Sequence, residues 1–117
     1  MTTLRAGQIV LADWRDALPK EPNKLRPAIV VEDDELFGPD YPNVILVPLS
    51  GELIAALEGL ALPIDPTPGN GCSGRCYALS YAVAATSMAR VRATPSQILP
   101  EQLTEIRRQI AMTIGLD

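Results

Sequence analysis

Arg26 opens an apolar run, Pro27-Ala28-Ile29-Val30-Val31, and two further cations, Lys20 and Lys24, stand just before it. A guanidinium at the mouth of a strand can aim its planar fork at a phosphate while the strand holds its backbone still. The same residue can equally be a rim arginine, paired with Glu21 or with the acidic stretch that follows. Ser50 ends a second apolar run, Val44 to Leu49, a common place for a working hydroxyl, and Gly51 allows close approach. Its alternative is local: a serine there caps Glu52 to Leu57 as a short helix. Cys72-x-x-x-Cys76 supplies two thiols, but no other cysteine or histidine exists to complete a four-ligand zinc site. They read as a local disulfide or as two free thiols. The run Glu32-Asp33-Asp34-Glu35 lacks the alternating spacing of a calcium loop and reads as a solvated turn. No metal and no cofactor is expected.

The 117 residues include no histidine, which excludes a Ser-His-Asp or Cys-His hydrolase and any histidine acid–base pair. Catalysis would have to use arginine, lysine, carboxylates, hydroxyls, a thiol or backbone groups. Ten Lys and Arg against fourteen Asp and Glu leave a net charge of −4, which argues against an indiscriminate grip on nucleic acid. The charge is unevenly placed, however. Between Ala28 and Asp65 there are eight acids and no base, whereas Met1 to Pro27 carries five bases against three acids. A local basic site at Lys20, Lys24 and Arg26 is therefore possible, joined by Arg75, Arg90 and Arg92. No signal peptide and no run of ~20 apolar residues is visible, so a cytoplasmic protein with reduced thiols and no membrane contact is expected.

Several short strands must position these groups. Gly7 to Trp14, Arg26 to Val31 and Val44 to Leu49 read as strands from their β-branched content, with Pro27 tolerated at a strand start. Leu60 to Ile64, Cys76 to Ala82 and Ala84 to Val91 read as three more, and Pro66 to Gly71 as a loop. Ser50 to Glu58 has short helical spacing. Leu99, Leu103, Ile106, Ile110 and Ile114 make one apolar stripe, predicting a helix over about Pro100 to Gly115. Its cap, Leu99, has no side-chain acceptor, which predicts a weak start. A single mainly β domain over 1–117, a small twisted barrel or sheet closed by one amphipathic helix, accommodates all of this.

Taken in order, these landmarks resemble the MazF/PemK family of toxin endoribonucleases. Gly7-Gln8-Ile9-Val10 with Trp14 looks like the family's opening strand, and Glu21 to Pro27 is similar to its Glu-Gln-x-x-x-Arg-Pro segment. Val47-Pro48-Leu49-Ser50 looks like its strand end, and Leu99-Pro100-Glu101-Gln102-Leu103 like its helix start. The resemblance implies an SH3-like barrel of the CcdB/PemK type, usually a homodimer, cutting single-stranded RNA without a metal to leave 2′,3′-cyclic phosphate and 5′-hydroxyl ends. It further implies that Arg26 stabilises or moves a proton at the phosphate and that Ser50 holds it. Trp14, Lys20, Glu21, Lys24 and Tyr81 would contact RNA. A cognate antitoxin is the implied partner, with DNA reached through the toxin–antitoxin complex.

The chain departs from the family pattern where Pro22 and Glu52 replace frequent glutamines. It departs again across Ser80 to Thr86, where an arginine and an aspartate are absent. The alternative reading is accordingly a catalytically weakened relative that binds protein or nucleic acid, for example in the manner of gyrase-inhibiting members of the superfold. A third is a plain interaction module, because a fold does not fix a function.

Overall fold

The computed structural model describes residues 3–13, 25–52 and 58–116. Seven strands, β1 (Gln8–Asp13), β2 (Leu25–Val30), β3 (Asn43–Ser50), β4 (Leu62–Ile64), β5 (Cys76–Ala78), β6 (Ala84–Ser87) and β7 (Val91–Gln97), precede a single helix, α1 (Pro100–Thr113). The strands run in the order β4-β5-β3-β2-β1-β7, with β6 also on β3, and the paired strands are antiparallel. The protein is mainly β with a C-terminal helix, as the sequence pattern predicts.

β1, β2 and β3 form the centre because both of their faces are apolar. Ile9, Ile29, Val47 and Leu49 point to one side, where Ile64, Ala78 and Ile106 complete a core packed by Leu103 and Ile110 of α1. Val10, Ala12, Ala28, Val30, Val44 and Leu46 point to the other, against Leu4, Met88 and Val91. Strands buried on two faces read as continuous β-branched runs, which is why these three are evident from composition.

The expected strand Cys76 to Ala82 ends at Ala78, and Ser80–Ala82 is a 3₁₀ turn. Ser80 is fully buried and donates to Gln109 Oε1 at 2.7 Å, while Gln109 Nε2 donates to the Ala61 carbonyl at 3.3 Å. That polar link draws the chain off the sheet and onto the helix. The expected strand Ala84 to Val91 is likewise cut at Ser87, whose hydroxyl accepts from the Ala89 N–H at 3.2 Å to start a second 3₁₀ turn over Met88–Arg90. β7 then follows, a strand that the sequence pattern does not predict.

One further expectation needs correction. Glu32 and Asp34 are more than a solvated turn: Glu32 Oε1 accepts from the Ile45 N–H at 3.0 Å and Asp34 Oδ1 from the Ala6 N–H at 2.7 Å. Leu99 caps α1 with no side-chain hydrogen bond, as its residue type predicts, and Gln102 Oε1 adds half of a capping box by accepting from the Leu99 N–H at 2.9 Å. The helix ends where Gly115 takes φ +86° and Leu116 N–H donates to the Ala111 carbonyl at 2.7 Å. The helical spacing at 52–58 falls largely outside the described residues. Among those described, no helix is long and apolar enough to cross a membrane.

Candidate functional site

Strand register decides which reactive side chains meet. β2 and β3 pair as Ala28↔Pro48, Ile29↔Val47 and Val30↔Leu46. That pairing ends at Ala28↔Pro48, and Arg26 and Ser50 each lie two residues beyond it, at the adjoining ends of β2 and β3 and at the same period-two positions as Ala28 and Pro48. Ser50 in turn pairs with Tyr77 on β5, Tyr77 with Pro63 on β4, and Arg26 with Ala12 on β1. Ala12 and Arg26 thus form one short row, and Ser50, Tyr77 and Pro63 another, one strand spacing of ~4.8 Å per step within each. Arg26 is half-buried, and its Nε is closed off from solvent, so the base of the guanidinium is seated in protein rather than in water.

Ser50 is tied to the turn that follows it. Its hydroxyl donates to the Glu52 carbonyl at 3.0 Å and accepts from the Glu52 N–H at 3.1 Å. The local role read from the sequence is thus present as a turn bond; the hydroxyl keeps one lone pair, and its proton reaches a ligand oxygen only by leaving the Glu52 carbonyl.

The end of β3 also borders a cleft of about 460 Å³, lined by Pro27, Leu49, Ser50, Ser96 and the loop Asn70 to Cys76, so Ser50 belongs to its wall as well. The two thiols sit in this wall with their sulfurs 3.5 Å apart, and both are free. Burial, and then the hydrogen bond with Cys72, push the Cys76 thiol up to about 12. Such a thiol is protonated at neutral pH and a poor nucleophile. Buried Asn70 shapes the loop: its Oδ1 accepts from the Thr67 and Cys72 N–H groups at 3.1 and 2.9 Å, and its Nδ2 donates to the Asp65 carbonyl at 2.9 Å. Among the described residues, no three of His, Cys, Asp and Glu gather as a metal-binding set.

The remaining cations divide between two places. Arg75 grips Asp65 through Nε at 2.6 Å and Nη2 at 3.0 Å, which holds the Asp65 carboxyl below its usual range. Arg75 is therefore committed to an acid rather than available to the basic site. Arg90 and Arg92 line a shallow groove with Asp13 and Leu25, next to the end of β2 that carries Arg26. Tyr81 lies on the first 3₁₀ turn, half-buried, with its N–H donating to the Leu60 carbonyl at 3.2 Å, and it does not line the cleft. Trp14, Lys20, Glu21 and Lys24 lie outside the described residues. Tyr77 is the aromatic that the sequence pattern overlooked. Its only prior signal was its position one residue after Cys76, and its placement beside Ser50 emerges from the pairing alone.

A family model described as "PemK-like, MazF-like toxin of type II toxin-antitoxin system" matches residues 5–114. Among solved structures, the chain is similar to MazF (Form-I) from Deinococcus radiodurans, with a TM-score of 0.74 at 18% identity, over 98% of this chain and 99% of that one. It is similar to the Mycobacterium tuberculosis toxin MazF-mt6, with a TM-score of 0.71 at 18% identity, over 94% and 98% of the two chains. An endoribonuclease in complex with its cognate antitoxin from a mycobacterial species matches with a TM-score of 0.72 at 14% identity, over 100% and 98%.

Proposed function

With the family model spanning residues 5–114, the chain belongs to the PemK-like, MazF-like toxins of type II toxin–antitoxin systems, and from that premise we propose that it is a metal-independent endoribonuclease acting on single-stranded RNA. What supports this reading is that Arg26 and Ser50 stand at the adjoining ends of β2 and β3, two residues beyond the pair Ala28↔Pro48. A 2′-hydroxyl attacks the adjacent phosphorus; the P–O2′ bond forms, the P–O5′ bond breaks, and the proton lost from the 2′-oxygen is matched by one gained at the 5′-oxygen. The products are a 2′,3′-cyclic phosphate and a 5′-hydroxyl. Arg26 neutralises the negative charge that builds on the non-bridging oxygens, a role suited to a group that stays protonated. Ser50 donates its hydroxyl to a phosphate oxygen by releasing the Glu52 carbonyl. Trp14, Lys20, Glu21, Lys24 and Tyr81 make up the wider RNA surface of this reading.

Purified protein is expected to cleave single-stranded RNA in EDTA and to leave cyclic-phosphate ends. RNA left intact at high protein excess sinks the reading. A second reading, a weakened relative that binds without cutting, is favoured by one feature: the Ser50 hydroxyl is bonded to Glu52, whose carboxylate adds negative charge beside the phosphate site. Bound but uncut RNA in the same assay would select it.

As partner we propose a cognate antitoxin, acting on a homodimer, with DNA contacted through the complex. An acidic antitoxin segment would compete with RNA for Lys20, Lys24 and Arg26. Excess single-stranded oligonucleotide should then displace that segment, and a complex indifferent to oligonucleotide would rule the competition out.

A further inference from the structure

We propose that Tyr77 is the stacking surface for a base that flanks the scissile phosphate. This inference rests on the endoribonuclease reading above and adds a residue and a task to it. Ser50 and Tyr77 are direct partners across β3 and β5, so their side chains leave the sheet on the same face, with Cβ atoms ~5 Å apart. Ala78 and Cys76, the neighbours of Tyr77 on β5, pack with the helix-side core, which assigns Tyr77 to the opposite face. It is half-buried there, so part of the residue is open to a ligand. A phosphate held at Ser50 would place an adjoining base within one strand spacing of that ring.

The surroundings favour a fixed ring. Pro63 flanks Tyr77 on the far strand and adds no charge. Arg75, two residues before Tyr77, is itself held by its bidentate pair with Asp65. A phosphate-holding hydroxyl beside a half-buried aromatic matches how single-stranded RNA is read, with unstacked bases laid on aromatic side chains.

The test uses a single-stranded RNA that the wild type cleaves, made with 2′-deoxyribose at the mapped cleavage nucleotide so that it binds uncut. Tyr77→Val removes the ring and keeps a β-branched side chain, whereas Tyr77→Phe keeps the ring. Tyr77→Val should weaken binding roughly ten- to a hundred-fold and Tyr77→Phe less than about threefold. An abasic site at one flanking nucleotide should cost the wild type the same factor and cost Tyr77→Val nothing. In the wild type, 2-aminopurine at that nucleotide should lose fluorescence on binding, a readout independent of whether any variant folds. Wild-type affinity in Tyr77→Val, equal losses in the Val and Phe variants, an undiminished abasic penalty in Tyr77→Val, or unquenched 2-aminopurine would each overturn the assignment. If the wild type cleaves no RNA at all, the endoribonuclease reading fails first and Tyr77 with it. Cleavage with an indifferent Tyr77 removes this inference alone.

Discussion

The sheet presents two different surfaces where β3 ends. One carries Ser50 paired with Tyr77, flanked by Pro63, with Arg26 beside Ala12 at the neighbouring end of β2. The other, which shares Ser50, is a cleft of about 460 Å³ walled by two thiols and the Asn70 loop. The cleft is concave, and much of its polar wall is bonded within the protein. Asn70 bonds its own loop, the thiols bond each other and backbone carbonyls, and Cys76 is held in its protonated form. The first surface offers a cation, a hydroxyl and an aromatic residue near the ends of neighbouring strands, the hydroxyl being bonded to the Glu52 backbone. Concavity locates space, whereas phosphate chemistry needs a cation and a hydroxyl brought near one another.

Substitutions on the two surfaces should therefore differ by orders of magnitude. Arg26→Ala is expected to lower cleavage about 10²- to 10³-fold, the usual effect of removing one preorganised charge-stabilising donor. Ser50→Ala should follow with a loss of roughly tenfold or more. Cys72→Ser and Cys76→Ser, on the cleft side, should leave the rate within about threefold. Initial rates on one single-stranded RNA, with circular dichroism as the check on folding, measure all four. A thiol variant as damaged as Arg26→Ala would move the chemistry to the cleft.

The thiols permit a sharper check. Because burial raises the Cys76 pKa to about 12, the folded protein keeps a proton there that the unfolded chain releases near pH ~8.5. Between those values the folded state binds more protons, so its stability falls as pH rises through the window. Cys76→Ser should flatten the alkaline fall in Tm. At pH 8, iodoacetamide should label folded Cys76 at least about a hundred-fold more slowly than the unfolded chain, read by mass spectrometry. Equal labelling would mean that the cleft wall is open and its thiol poised for reaction.

Gly71 tests the wall itself. It sits at φ +69°, and a Cβ added there would lie 2.7 Å from Ser96 Oγ on β7. Gly71→Ala should cost about 1–2 kcal/mol from the left-handed backbone, plus whatever the serine loses by rotating away. Urea unfolding measures the sum, and adding Ser96→Ala should recover only the serine's share. Cleavage by the folded fraction should be nearly unchanged. A large loss of activity without loss of stability would tie the wall to the chemistry after all.

How much of this was legible beforehand follows the same division. β1, β2 and β3 announced themselves because strands covered on both faces are β-branched almost throughout. β7 did not, because it is an edge strand: Arg92, Thr94, Pro95 and Ser96 alternate with little apolar content, and proline is tolerated there. The break after Ala78 was hidden for another reason, since Ser80 leaves the sheet to meet Gln109, 29 positions away. Arg26 and Ser50 could be named individually from their strand-end positions. That the two strand ends adjoin, and that Tyr77 lies beside Ser50, are consequences of register, which no local pattern contains.

The smallest effect is expected at Glu52, and its sign is the informative part. The backbone of Glu52 holds the Ser50 hydroxyl, while its exposed carboxylate sets a negative charge beside the row. An exposed charge is worth at most about 1 kcal/mol and is screened by salt. Glu52→Gln leaves the backbone bonds to Ser50 in place and removes only the repulsion. RNA should then bind about two- to fivefold more tightly at low ionic strength, with the gain fading toward 1 M salt and the cleavage rate of bound RNA unchanged. A gain that ignores salt would point to a direct hydrogen bond from the new amide. A hundred-fold fall in the rate of bound RNA would instead make the carboxylate the acceptor of the 2′-hydroxyl proton, the one task in the reaction for which a guanidinium is poorly suited.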